Sequence, residues 1–414
     1  MYKFVIAGGG SASSAMVGHI LRTRRILPSE ILVIEPCRYH HYQPGWTMVG
    51  GGLLGSESDI MKKSLFLLQQ NTENMFHPKV EILQKEVTGF DPENNKVFVS
   101  GNESVTYENL IVTLGIDTDY KAIPGLVQAI EDPNSPVGSI YKFPYALKMN
   151  KIIQEFKGGN AIFNMAPQPV KCAGAPQKIM HLAYESFQKN GVEKFKVDYY
   201  MPQPVIFGVP KYANILKNIA ASKGIGVFPE HQLTRIEPEK RTAYFKHSNT
   251  EIAVKYDLLH VTPPQRPVDV LRKSKIVDAA GFVDIDKYTL QHKKYPNIWS
   301  LGDCSSLPNS KTMAATMSQS LILVNNIFKM IDGKPLNAKY YGYSSCPIFV
   351  GDNKLLLCEF KYDGVLDESF PHLQNSPSRL LFLAKKYFFP RVYLHLIKRG
   401  WWYGRNLIFR PNFF

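Results

Sequence analysis

Residues 3–13 narrow the fold of this chain more than any other segment. Lys3-Phe4-Val5-Ile6-Ala7 reads as a short apolar strand, and Gly8-Gly9-Gly10-Ser11-Ala12-Ser13 turns it into a helix. A strand–glycine–helix turn lets backbone approach a pyrophosphate, whose charge meets the positive end of the helix. The next strand, Ile31-Leu32-Val33-Ile34, ends in Glu35. That is about 25 residues past the turn, the place for a carboxylate that accepts from ribose hydroxyls. Ser13 fills the last glycine position of the fingerprint, and a residue that small still permits close helix–strand packing. The pattern predicts a dinucleotide-binding βαβ unit, with Gly8 and Gly10 of the turn and Glu35 as its binding residues.

A chain of this kind that also held NAD(P)H would repeat the unit, and here the repeat is altered. The mid-chain strand Asn160-Ala161-Ile162-Phe163-Asn164-Met165 runs into Ala166-Pro167-Gln168-Pro169-Val170-Lys171-Cys172-Ala173-Gly174-Ala175-Pro176. Three prolines and a single glycine suit a pyrophosphate poorly, but the loop presents a thiol. Electrons are therefore expected from a sulfur compound and not from a nicotinamide. Lys171 and Lys178 flank Cys172, and a helix is expected to start near Pro176. Nearby cations and a helix N-terminus both favour thiolate.

The length of 414 residues accommodates two or three domains. No apolar run reaches the ~18 residues of a membrane span. Neither a signal peptide nor a transit peptide is recognisable ahead of the first strand. This leaves internal targeting, an omitted presequence and a cytosolic protein all open. The five cysteines, Cys37, Cys172, Cys304, Cys346 and Cys358, are odd in number and form no CxxC pair, so neither a disulfide framework nor a zinc or other metal site is expected. Cys37, Cys304 and Cys358 read as passive thiols.

Further strands are expected at Val80–Leu83, Lys96–Val99 and Leu110–Gly115. The last resembles the returning strand of glutathione-reductase-like flavoproteins. A second domain would then carry strands at 160–165 and 197–207 and leave through Leu258-Leu259-His260-Val261-Thr262-Pro263-Pro264. Ile298-Trp299-Ser300-Leu301-Gly302-Asp303 rejoins the first domain, and in that flavoprotein superfamily such a Gly-Asp binds the ribityl or phosphate part of FAD. A helix from Met313 to about Met330 would point its positive end at the flavin. The expected organisation is an α/β chain of two Rossmann-like dinucleotide-binding domains. Residues 1–118 and 280–335 form the FAD domain, 119–279 the second domain without a nicotinamide fingerprint, and 336–414 a C-terminal region.

The net charge is +14, and eight of the positive charges lie after Glu368, where no acid follows. From Ser378 the tail carries eleven aromatics, among them Tyr387, Phe388, Trp401, Trp402, Phe413 and Phe414. Pro390 is expected to break it into two helical pieces, the second with the apolar pairs Val392/Leu396 and Tyr393/Ile397 beside Arg391, Lys398 and Arg399. Apolar and aromatic groups among cations fit a helix lying in a membrane interface. No nucleic-acid recognition module is visible, and nucleic acid is not expected as a partner.

Taken with Tyr343-Ser344-Ser345-Cys346-Pro347, these signals resemble eukaryotic-type sulfide:quinone oxidoreductases over nearly the whole chain. The motifs that carry the resemblance are GGGSAS, Tyr42-Gln43-Pro44 with Trp46-Thr47, Pro169–Lys178, His260–Pro264, Gly302-Asp303-Cys304, Ser310-Lys311-Thr312 and Ser345-Cys346-Pro347. The Cys172 motif is the most specific. Ala12 and Ser13 depart from the usual GGGSGG, which would tighten the turn without abolishing phosphate binding. Cys37 does not match the context of the third cysteine found in bacterial enzymes, so the two-cysteine pattern fits better.

The resemblance implies FAD contacts at Ser11, Ala12, Glu35, Gln43, Val87, Asp303 and Lys311. It implies Cys172 and Cys346 as a redox pair, bridged directly or through one extra sulfur, with Lys178 beside an anionic acceptor or persulfide. It further implies hydrogen sulfide as substrate, a small acceptor of sulfane sulfur such as glutathione, sulfite or coenzyme A, and ubiquinone as electron acceptor. The expected location is the mitochondrial inner membrane, bound peripherally or monotopically. The nearest alternative is a type II NADH:quinone dehydrogenase, which would need the missing fingerprint. A non-catalytic flavoprotein is the other, and the intact Cys172 and Cys346 speak against it.

Overall fold

A computed structural model describes residues 1–411, without the side chain of Arg405. Phe413 and Phe414 lie outside the described residues. The first sheet is built on Tyr2–Ala7, which pairs in parallel with Ile31–Ile34 on one side and Glu103–Val112 on the other. Glu81–Leu83 extends the sheet beyond Ile31–Ile34, and Ile298–Ser300 joins Glu103–Val112, also in parallel. Phe4, Val5, Ile6 and Ile31–Ile34 are buried throughout. Such unbroken apolar runs belong to parallel strands covered on both faces. One covering helix is Ser11–Arg22, and the other face-forming helix, Met313–Ile331, packs against it. The lower half of Glu103–Val112 leaves the parallel sheet to pair antiparallel with Lys96–Val99, and that strand pairs with Val87–Asp91.

A second, five-stranded parallel sheet runs in the order Val137–Gly138, Leu258–His260, Gly159–Asn164, Phe195–Tyr200, Gly226–Phe228. Its helices include Phe143–Glu155, Ala175–Lys189 and Pro210–Ser222. A three-stranded antiparallel sheet of residues 231–255 stands beside it. The strand expected over 197–207 covers only Phe195–Tyr200; residues 202–208 bend away because Pro202 and Pro204 cannot donate to a ladder. The hairpin Ser344–Gly351/Lys354–Phe360 closes over the helix Ala175–Lys189, so that residues separated by 170 positions in the chain share one core.

The tail departs most from expectation. Pro390 does not divide it. Arg379–Leu383, a π-turn at Ala384–Phe388 and Phe389–His395 follow one another as a continuous helix. Pro390 follows the π-turn, whose bond from the Phe389 N–H to the Ala384 carbonyl shifts the ladder just before the residue that lacks a donor. Nor do the apolar pairs face outward. Val392, Tyr393 and Ile397 are buried in the main core, while Leu380, Leu383, Tyr387 and Phe388 stand exposed on the other side. The tail is seated by close backbone contact, since a Cβ on Gly18 would lie 2.5 Å from the Gly400 nitrogen. Among the described residues no helix is long and apolar enough to cross a membrane.

Candidate functional site

The glycine turn forms an open cradle. Gly8 has φ +104°, and a Cβ there would lie 2.6 Å from the Thr113 carbonyl oxygen. Only glycine permits that turn. At Gly10 the space is the reverse, since a Cβ would meet no atom within 4 Å. The helix that begins at Ser11 has no side-chain cap and no acid in its first turn, so its positive end is free to receive an anion. Glu35 accepts from the backbone N–H of Gly9 at 2.7 Å and of Cys37 at 2.9 Å, which places its carboxylate against the turn. Gly302 brings Asp303 to the same place: a Cβ on Gly302 would lie 3.5 Å from that of Ala12. Burial raises the Asp303 carboxyl above its ordinary pKa, and Lys311 and Lys171 oppose that shift. The Lys311 ammonium donates to the Asp303 carbonyl at 2.6 Å and to that of Ser305 at 3.2 Å. An uncapped helix start, open space over Gly10 and the half-buried Lys171 and Lys311 at the far edge fit a dinucleotide.

The sulfur loop is stitched to this cradle. Cys172 donates its backbone N–H to the Lys311 carbonyl at 2.7 Å, and its own carbonyl accepts from Ala175 at 2.7 Å. The Lys171 ammonium donates to Gln43 Oε1 at 3.2 Å, which ties the expected flavin contact Gln43 to the loop. Cys172 has φ +55°, the left-handed region that a non-glycine residue rarely occupies and that is often found at functional sites. Val87 opens the strand Val87–Asp91 and is paired with Val99.

Three groups surround the loop sulfur. Lys178, four residues into the helix Ala175–Lys189, donates from Nζ to Cys172 Sγ at 3.0 Å. Cys346, carried on the hairpin strand, is fully buried and packs against the same loop, where a Cβ on Gly174 would lie 3.7 Å from its own Cβ. The Cys346 hydrogen bond and the Lys178 ammonium hold Cys172 well below the ordinary thiol pKa, although burial works the other way. Cys346 is driven up, by its bond to Cys172 and by burial. Burial alone would discharge Lys178, but the Cys172 and Cys346 sulfurs keep its pKa above the ordinary lysine value. When the pair is unbridged, these directions favour the anionic form at Cys172 and the neutral thiol at Cys346, with Lys178 charged between them.

Two features were not legible in the sequence. Lys385, from the tail π-turn, is only 6% exposed and faces the same cluster. Burial first, and then the Lys178 charge, bring its pKa down to about 7, while Cys172 and Cys346 pull it back up. Tyr393, also from the tail, donates to Ser11 Oγ at 2.8 Å and pairs with His40, whose other ring nitrogen contacts the Gly9 carbonyl. The last helix thus touches both the sulfur pair and the glycine turn. Among the described residues no cluster suited to a metal ion occurs.

A dinucleotide cradle joined to a low-pKa thiolate, with a second cysteine behind it, defines the class: a flavin-dependent oxidoreductase that acts on sulfur. No protein-family model matches the chain. It is 37% identical to the mitochondrial sulfide:quinone oxidoreductase of Mus musculus over 408 residues, which cover 97% of this chain and 88% of that protein. It is 38% identical to the mitochondrial sulfide:quinone oxidoreductase of Dictyostelium discoideum over 413 residues, 99% and 88% of the two chains. Among solved structures, the sulfide:quinone oxidoreductase of Aquifex aeolicus has the same fold, with a TM-score of 0.77 at 16% identity over 97% of this chain and 92% of that one. The chain belongs to the sulfide:quinone oxidoreductase family.

Proposed function

We propose that this protein oxidises hydrogen sulfide and delivers the electrons to a quinone, with Cys172 and Cys346 as the reacting sulfurs and FAD in the glycine cradle. The observation that carries this reading is the Lys178 ammonium bonded to Cys172 Sγ in the loop where a nicotinamide site would otherwise stand. In the oxidised protein the two sulfurs are bridged, directly or through one extra sulfur. Hydrosulfide attacks the bridge at Cys346 Sγ, the bond to Cys172 breaks, and Cys346 keeps the new sulfur as a persulfide. Cys172 leaves as a thiolate, and Lys178 stabilises that charge as it forms. A bound flavin supplies a two-electron acceptor for Cys172 and a donor to the quinone. A small nucleophile such as glutathione, sulfite or coenzyme A then takes the sulfane sulfur from Cys346, and the Cys172–Cys346 bond re-forms as the two electrons of that pair leave for the acceptor. Lys171, Lys178 and Lys385 make that approach favourable to anions.

Ser11, Ala12 and the free helix start would hold the pyrophosphate, Glu35 the ribose, and Asp303 and Lys311 the ribityl–phosphate part, with Gln43 and Val87 completing the contacts. For the quinone we infer a path along the tail, whose exposed Leu380, Leu383, Phe388, Trp401 and Phe409, with Lys386 and Arg391, suit a monotopic seat in a bilayer interface. The relatives named mitochondrial support a mitochondrial location, and the inner membrane is our reading of where the quinone lies. The test is sulfide-dependent reduction of a soluble ubiquinone by the purified yellow protein, with sulfane sulfur counted on each acceptor. One sulfane sulfur per quinol is expected. Quinone reduction without a sulfane product would contradict the reading.

A further inference from the structure

Cys358 reads in the sequence as a passive thiol, and the hairpin gives it a different position. In the register of Ser344–Gly351 and Lys354–Phe360, Cys358 lies directly opposite Cys346. Both are fully buried, and both belong to the face that packs into the second domain's core with Ile348, Val350, Leu356 and Phe360. Backbone bonds on the outer edge fix the kind of pair. Leu355 exchanges bonds with Ser378, and the Glu359 N–H goes to the Tyr212 hydroxyl at 3.2 Å, so residues 355 and 359 turn their peptide groups away from the partner strand. Residue 358 therefore turns its own toward Cys346. At such a hydrogen-bonded pair the Cα atoms are about 5.5 Å apart, within the range that a disulfide spans. The Cβ atoms stand about 4.5–5.5 Å apart, at or beyond the upper end of the direct-bridge range, so a direct bridge would be strained and readily reduced, and one extra sulfur would relieve it. Lys178 lies close enough to act on all three sulfurs.

We propose that Cys358 is a third member of the sulfur site, an alternative bridge partner that holds Cys346 while Cys172 is released. The proposal rests on the Cys172–Cys346 bridge described above. In the exchange the Cys358 sulfur attacks Cys346 Sγ. The Cys346–Cys358 bond forms and the Cys172–Cys346 bond breaks. Burial holds the Cys358 thiol well above its ordinary pKa, so its proton passes to the departing Cys172 sulfur and from there to solvent, which leaves Cys172 as a thiolate beside Lys178. The step is neutral in electrons and needs no outside oxidant. Hydrosulfide attack on Cys346 in the second bridge gives the same Cys346 persulfide and restores the Cys358 thiol, so the shifted bridge remains open to substrate.

Trypsin separates the three cysteines into residues 172–178, 340–354 and 355–361, because Lys354, which opens the second strand of the hairpin, lies between Cys346 and Cys358. The experiment is peptide mapping without reduction on oxidised holoenzyme after acid quenching and alkylation, for the wild type and for Cys172→Ser treated with diamide. Direct links and links heavier by one sulfur are both counted. The expected wild-type result is a mixture of 172–346 and 346–358 links, and in Cys172→Ser the 346–358 link takes over. A Cys358→Ala control should lose the second link only. Absence of the 346–358 link from both wild type and Cys172→Ser, with both thiols alkylated, overturns the proposal and leaves the proposed function intact. The opposite pattern, a 346–358 link with no 172–346 link in the wild type, supports the place of Cys358 and sinks the assignment of Cys172 as bridge partner.

Discussion

The turn at 8–10 and the loop at 165–174 hold the same place in two parallel sheets, each between a central strand and the helix that covers it. In the first, three glycines connect Ala7 to Ser11, with backbone bare enough for a phosphate to reach it. In the second, ten residues connect Asn164 to Ala175, with prolines at 167 and 169 and a left-handed residue that is cysteine instead of glycine. In the proposed reading, the helix start that would receive an anionic cofactor in one case faces a sulfur in the other, and Lys178 adds its charge there. A scaffold that positions negative charge at a helix N-terminus is indifferent to whether the charge belongs to a phosphate or a thiolate.

The sharpest way to break the comparison is Cys172→Ser. Sulfide-driven bleaching of the flavin should fall below detection while the yellow colour is retained, as measured by absorbance in the absence of oxygen. At the glycine turn two substitutions should part company. Gly10→Val adds a side chain where no protein atom stands, so the fold should survive and the flavin be lost, as shown by cofactor content beside an unchanged circular dichroism spectrum. Gly8→Ala meets the Thr113 carbonyl and should lower stability by ~1–3 kcal/mol or more in denaturant titration, whatever the cofactor does.

Lys178→Met tests what charges the loop. Without the ammonium the Cys172 pKa should rise, moving the pH midpoint of flavin reduction upward by a unit or more and slowing it about tenfold at neutral pH. The smallest effect expected is on stability. Lys385 is brought down to about 7 from the ordinary lysine value of 10.5, so the unfolded chain binds the extra proton between those values and the folded chain does not. Stability should therefore rise as pH goes from about 7 toward 10. The penalty of the buried ammonium is complete below 7. Lys385→Met should flatten that rise in a series of melting temperatures.

What the sequence made legible was local. The glycine turn, the Gly302-Asp303 strand end and the thiol loop each announce themselves within a dozen residues, because the chemistry requires those residue types at fixed spacing. What it hid was assembled across the chain. The pairing of Cys346 with Cys358 depends on hairpin register, and nothing in Ser344-Ser345-Cys346 specifies it. Lys385 and Tyr393 look like surface residues of an amphipathic tail until the π-turn rotates one into the sulfur cluster and the other onto Ser11. The outward face of that tail was misread for the same reason: a π-turn shifts the helical phase, and the apolar pairs at 392–397 face the core.

The central claim is that the second loop takes electrons from sulfur and not from a nicotinamide. The direct test is to follow flavin absorbance in the oxygen-free protein as sulfide is added to one sample and NADH to another. The account predicts bleaching by sulfide alone, with colour restored by a soluble ubiquinone. Bleaching by NADH and indifference to sulfide would contradict it.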